Sequence, residues 1–117
     1  MANTRLEDIY LKLKEKGFDI YYPNTKTGEC SAPYTVVKYS GGSKYPNYSS
    51  SLDYYDLLLY VPRNKYSELI PYKNQVKQVM KELYPMLVDT GYESPSFLDD
   101  KVQAHMISIQ YRNNRKL

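Results

Sequence analysis

The residues Asp53 to Pro62, Asp-Tyr-Tyr-Asp-Leu-Leu-Leu-Tyr-Val-Pro, form the densest apolar run in the chain and constrain its fold more than any other stretch. On an extended backbone Tyr55, Leu57, Leu59 and Val61 share one face, and Tyr54, Asp56, Leu58 and Tyr60 share the other, more polar one. A strand with that split is covered by helices on one side. Pro62 lacks the amide needed to continue it. After this strand come a polar turn, a long amphipathic helix, a Gly/Pro loop and a final alternating strand. Before it stand one helix, a short strand and the first half of a hairpin.

Thr4-Arg-Leu-Glu7 has the form of a capping box, in which a hydroxyl and a glutamate satisfy the first free amides of a helix. Leu6, Ile9, Tyr10 and Leu13 recur at helical spacing, and Gly17 stands where a left-handed cap belongs, so a helix is expected over 5–16. Phe18 to Tyr22 reads as a short strand closed by Pro23, and Ala32 to Ser40 as a longer one ended by Gly41-Gly42. Gly41 to Ser51 reads as the loop of a long hairpin. After the central strand, Leu69, Tyr72, Val76, Val79, Met80 and Leu83 mark the clearest helix, with Pro71 in its first turn and Pro85 beyond its end. Met86 to Val88 reads as a brief strand, Asp89 to Pro95 as a loop, and Lys101 to Arg112 as the last strand. Ser96 to Asp100 fits neither pattern clearly. The expected fold is an α+β two-layer domain spanning 1–117, a mostly antiparallel sheet with two helices packed on one face and a long β-hairpin arm.

A chain of 117 residues is one domain's worth and can bury a core. It has no apolar run of the roughly 18 residues needed to cross a membrane, and its polar, acidic N-terminus does not read as a signal peptide. A single cysteine, Cys30, cannot form an internal disulfide, which points to a reducing compartment such as the cytoplasm. The net charge of +3 is too small to imply nucleic acid by itself. Arg112, Arg115 and Lys116 form a basic tail that reads as a solvated, frayed terminus. Fifteen tyrosines against two phenylalanines and no tryptophan leave two readings open. One is a small sheet that uses tyrosine where others use phenylalanine. The other is a surface given over to protein contacts.

No catalytic, cofactor or metal residues are expected. His105 and Cys30 stand alone, without the paired spacing of a metal site, and a Cys-His nucleophilic pair has no local activating pattern around it. Asp99-Asp100 could bind a cation or act as an acid/base pair, but adjacent carboxylates at a strand entrance are more often solvated or a turn cap, and Gly41-Gly42 lacks the Lys-Ser/Thr and helix of a phosphate loop. Tyrosines and lysines could stack and pair with single-stranded nucleic acid, but most of these tyrosines alternate with core positions.

Five phrases run along nearly the whole chain: Gly-Phe-Asp-Ile-Tyr-Tyr-Pro (17–23), Gly-Glu-Cys-Ser-Ala-Pro-Tyr (28–34), Tyr-Val-Pro-Arg-Asn-Lys-Tyr-Ser-Glu-Leu (60–69), Thr-Gly-Tyr-Glu-Ser-Pro-Ser-Phe-Leu-Asp-Asp (90–100) and His-Met-Ile-Ser-Ile-Gln-Tyr-Arg (105–112). In these the chain resembles the tail-terminator, or tail-completion, proteins of tailed phages and phage-like contractile particles. The resemblance implies a small α+β subunit that assembles as a homo-hexameric ring on the last ring of the tail tube. It implies an end to tube polymerisation, a surface for the head–tail connector or collar and, in a contractile tail, a grip on the sheath protein. It implies a place in the virion tail after assembly in the bacterial cytoplasm, with no enzyme activity, membrane or specific nucleic acid.

Rings close through head-to-tail interfaces, for which strand edges and tyrosine-rich loops are suitable. The expected contact residues are Lys44, Tyr45 and Tyr48 in the arm, and Arg63, Lys65 and Tyr66 after the central strand. Two other readings stay open: a head–tail connector or adaptor ring between portal and tail, and a small nucleic-acid-binding domain.

Overall fold

The computed structural model describes the backbone of residues 6–44 and 50–116 and the side chains of 6–42 and 53–113. Helix α1 spans Leu6–Glu15. Its expected cap, Thr4, lies outside the described residues. Its C-terminus closes as the sequence implies: Phe18 N–H donates to Leu13 O (3.0 Å), Gly17 N–H donates to Lys14 O (3.1 Å), and Gly17 takes φ +90°. These two bonds satisfy carbonyls that the helix leaves free, in a backbone conformation that only glycine adopts without strain.

The strands are β1 (Ile20–Tyr21), β2 (Tyr34–Lys44), β3 (Ser50–Pro62), β4 (Val88–Glu93), β5 (Phe97–Asp99) and β6 (Ala104–Lys116). They form a six-stranded sheet in the order β1-β2-β3-β6-β4, with β5 pairing β6 beside β4. All pairs are antiparallel except β1 with β2. The chain folds as an α+β domain, in accord with the pattern of its sequence. β3 is central, and its 13 residues span roughly 40 Å at about 3.4 Å per residue.

The register explains the core. Tyr55 pairs with Tyr111, Leu57 with Ile109, Leu59 with Ile107 and Val61 with His105, so the alternation read from β3 and β6 falls in common rows. Tyr55, Leu57, Leu59 and Val61 are completely shielded and join one cluster with Ile9 and Leu13 of α1. The same cluster holds Leu69, Tyr72, Val76 and Met80 of α2 (Leu69–Met80). Burying one such leucine contributes about 1.5–3 kcal/mol. One polar pair sits in this dry layer, where the hydroxyls of Thr35 and Tyr72 meet at 2.7 Å. Burial pushes the Tyr72 phenol up to about 12, with the Thr35 hydrogen bond pulling the other way.

The opposite face is less polar than the alternation implies. Tyr34 stacks on Tyr60 (4.7 Å between centroids), Tyr21 meets Tyr34 edge-on (5.8 Å), and Cys30 and Ala104 are buried among them. Lys26 Nζ lies 5.4 Å and 5.5 Å from the Tyr21 and Tyr34 rings. The backbone of Cys30 donates to Val102 O at 2.7 Å, which ties the connection between β1 and β2 to the turn before β6.

Four expectations need correction. Gly41 to Ser51 is not one loop, since β2 runs on to Lys44 and β3 begins at Ser50. Gly41 takes φ +101° where the register shifts between Tyr39 and Gly42, so the glycine pair makes a bulge instead of an end. Asp89 to Pro95 is not a loop either. β4 occupies Val88–Glu93 despite its turn-like composition, because the ladder to β6 and ion pairs from α2 outweigh local preference. The expected brief strand at Met86 therefore starts only at Val88. The last strand is displaced to 104–116, which makes the backbone of the basic tail a paired strand: Arg115 sits opposite Ser51 and Lys116 opposite Ser50. The polar connection after Pro62 is a 3-10 helix, Arg63–Glu68.

Candidate interaction surfaces

The two expected contact regions lie at opposite ends of β3, so the strand separates them along its length. At one end, β2, β3 and β6 continue past the end of β4 as a three-stranded ribbon: 42–44, 50–53 and 113–116. Lys44 closes β2 opposite Ser51, while Tyr45 and Tyr48 lie outside the described residues. The ladder here is a polar one. Asp53 and Asn113 pair in one row and are both buried, and the exposed Tyr39 donates its hydroxyl to Asp53 Oδ1 at 3.0 Å. The hydroxyl of Ser40 donates to Asp56 Oδ2 across the bulge.

Charge is also concentrated here. Residues 38–56 and 110–116 hold five Lys/Arg and two Asp, so the whole net charge of +3 belongs to them, and the remaining eleven cations and eleven carboxylates balance. Among the described residues, no strand pairs with β2 beyond Val36 or with β6 beyond Arg112 on their outer sides. Among the described residues, both edges of the ribbon present backbone donors and acceptors with no strand beside them.

At the other end of β3, Arg63, Lys65 and Tyr66 come together on the 3-10 helix. Each is held locally. Arg63 Nη1 donates to Gln103 Oε1 at 2.8 Å, and Lys65 pairs with Glu68 at 3.6 Å. The Tyr66 hydroxyl meets Ser96 Oγ at 3.1 Å, and its ring packs edge-on against His105 at 4.6 Å. His105 Nε2 lies 3.2 Å from Arg63 O, and a carbonyl only accepts, so this nitrogen carries the proton in that contact. Tyr66 is still 54% exposed, so it is anchored at its tip and open along its face.

The residues weighed for chemistry have structural occupations. Cys30 Sγ donates to Ala32 O at 3.2 Å, and burial pushes the thiol up against the opposing pull of that contact and of Lys26. A thiol held this way stays protonated at neutral pH and is a poor nucleophile. Asp99 Oδ1 accepts the Lys101 backbone N–H at 3.0 Å, the turn-capping role its position implies. Among the described residues, no group of three His, Cys, Asp or Glu side chains could hold a metal ion, and no helix is long and apolar enough to cross a membrane.

Two features have little or no signature in the sequence. One is an ion network that fastens β4 to α2: Lys73 and Lys77 meet Glu93 at 2.8 Å and 2.6 Å, and Lys77 meets Asp89 at 3.2 Å. The hydrogen bonds from both lysines hold the Glu93 carboxyl below the usual carboxylate range, and the Glu93 hydrogen bond raises Lys77. The spacing of Lys73 and Lys77 on one helix side is its only signal in the chain. The other is a cavity of about 320 Å³ between the end of α2 and the start of β4, with Met80, Leu87 and Tyr111 at its floor.

No family model matches the chain, and no curated protein matches it.

Proposed function

We propose that this protein is a tail terminator of a tailed phage or phage-like contractile particle, a homo-hexameric ring that caps the tail tube, ends its polymerisation and offers the surface for a head–tail connector or collar. Where the tail is contractile, the same ring holds the last layer of sheath. The reading rests on the resemblance that runs along the chain, and the observation that carries it furthest is the ribbon beyond the end of β4. A paired, polar, three-stranded extension with no strand on either edge among the described residues suits contact with other chains. The ribbon at one end of β3 and the 3-10 helix with Tyr66 at the other are unlike surfaces. Contacts between unlike surfaces are what a rotationally closed ring uses. At the opposite end of β3, Tyr66 and the 3-10 helix supply a second, separate contact surface. The action is geometric: one face of the ring mimics the next tube layer, and the other offers no further tube site.

The test is the length of tails assembled without this protein, imaged by electron microscopy. Tails of uncontrolled length are expected, restored to a single length by adding the protein back. Tails of normal length in its absence would overturn the reading. The native mass of the tube-bound ring separates the neighbouring role: six copies on the tube mark a terminator, and twelve copies on a portal mark a connector.

A further inference from the structure

The outer edge of β6 opens at the row where β4 stops. Val88 pairs with Arg112, and among the described residues no strand lies beside Asn113–Lys116 on that side. The cavity between α2 and β4 lies at the same junction, since Leu87 and Asp89 flank Val88 and Tyr111 precedes Arg112. Its floor residues Met80, Leu87 and Tyr111 are each 3% exposed or less. Its rim carries Lys77, Lys81, Asp89 and Tyr84, the last 69% exposed. Lys77 is occupied by Asp89 and Glu93. Lys81 has no carboxylate within ion-pair distance among the described residues, and its amine meets only an amide oxygen, Gln78 Oε1, at 3.4 Å. A volume of about 320 Å³ lies at the small end of the range for ligand sites, roughly 300–1,000 Å³, so it suits one large side chain better than a cofactor.

We propose that this junction is a docking site for an extended acidic segment of a partner polypeptide, which adds a strand to β6 along Asn113–Lys116 and places one large apolar side chain in the cavity. Three observations select that occupant. The open edge offers alternating peptide donors and acceptors, and another peptide backbone is the natural complement of such a row. The cavity beside it has an apolar floor and an open mouth, which calls for an anchor residue. The flanking charge is positive: Arg115 and Lys116 in the strand and Lys81 at the rim, on or beside the part of the chain that carries its net charge. The same charge disfavours a second copy, because the β2 edge contributes Lys38 and Lys44 and would set like charge against like. Nucleic acid would meet the cations but leave the strand edge unpaired.

The test begins with selection of binders to the purified protein from a displayed library of random twelve-residue peptides. Enrichment of acidic sequences with one large apolar residue is expected. The consensus peptide is then synthesised and titrated. Replacing its apolar residue by alanine, or N-methylating alternate amides, should weaken binding at least about tenfold. Lys81→Glu and the pair Arg115→Glu, Lys116→Glu should each do the same. Lys81→Gln serves as the milder variant should a reversal disturb folding. Backbone amide shifts should move at Asn113–Lys116. Enrichment of neutral or basic sequences, or no enrichment, would overturn the proposal. So would peptides that bind the variants as tightly as the original protein. Displacement of the peptide by oligothymidylate would assign the surface to nucleic acid, and loss of self-association in the β6 variants would assign it to a second copy; either result also overturns it. The proposal stands apart from the ring reading, because the peptide titration and the measurement of tail length can fail independently.

Discussion

The two halves of β3 belong to one strand and are held by different forces. From Tyr55 to Val61 every second side chain is completely shielded under α1 and α2, and the partners across the ladder are Tyr111, Ile109, Ile107 and His105. From Ser50 to Asp53 the strand is held by its ladder to β2 and β6 and by the polar row at Asp53 and Asn113. The first half buries apolar area, which contributes to stability in proportion to the surface removed from water. The second exchanges hydrogen bonds with water for hydrogen bonds within the ribbon, at a net gain of only about 0.5–1.5 kcal/mol each. Stability is thus concentrated along one part of the strand: the covered half fixes the fold, while among the described residues the edges of the ribbon have no strand beside them.

That contrast can be broken most forcefully in the covered half. Leu59→Ala removes a fully enclosed side chain between β2, β6 and α2, and should cost about 2–5 kcal/mol, read as a lower urea midpoint at unchanged slope. A loss below about 1 kcal/mol would mean that this face is not the main source of stability. In the ribbon, Gly41→Ala meets nothing within 4 Å, so its effect comes from backbone alone. At φ +101° an alanine should cost about 1–2 kcal/mol. Hydrogen exchange should show that loss in faster opening of the ribbon amides, with the core rows little changed. Equal acceleration in both halves would erase the distinction.

The smallest effect sharpens the boundary between the halves, where the ion network holds β4. Because Lys73 and Lys77 depress the Glu93 carboxyl, its contribution is complete above the unfolded value of about 4.3 and is lost as the pH falls through the lower folded value. Glu93→Gln should therefore cost about 1 kcal/mol or less at neutral pH and make almost no difference in acid. A variant whose deficit persists unchanged at low pH would show that the network works through packing and not through charge.

The covered half is legible in the chain because its signals are local and periodic. Tyr55, Leu57, Leu59 and Val61 alternate, and Leu69, Tyr72, Val76 and Met80 recur by three and four, so strand and helix announce themselves before any packing is known. Gly17 can be placed as a cap for the same reason, since one residue's conformational freedom decides it. The ribbon and β4 are hidden because their order comes from elsewhere in the molecule. Gly41-Gly42 looks like an ending, yet a bulge absorbs it once β3 and β6 supply a ladder. Asp89-Thr-Gly-Tyr looks like a turn, yet Lys77 and Tyr111, far away in sequence, hold Asp89 in a strand. Of the expected contact residues, Lys44 ends β2, Arg63, Lys65 and Tyr66 stand on the 3-10 helix after β3, and Tyr45 and Tyr48 lie outside the described residues. The cavity has no sequence signature, because its floor draws Met80, Leu87 and Tyr111 from three separate segments.

The tyrosine habit of the sheet has an optical consequence. With fifteen tyrosines and no tryptophan, the near-ultraviolet spectrum of this protein is a tyrosine spectrum. Burial raises the phenols of Tyr34, Tyr72 and Tyr111 above their ordinary value. Their neutral forms therefore stabilise the fold below the unfolded value of about 10, and that contribution is lost as the pH rises through the higher folded values. Hydroxide reaches these rings chiefly by opening the sheet. Beyond the signal of the exposed tyrosines, the late rise of tyrosinate absorbance in strong base thus reports the opening of the sheet, with no dye or label attached.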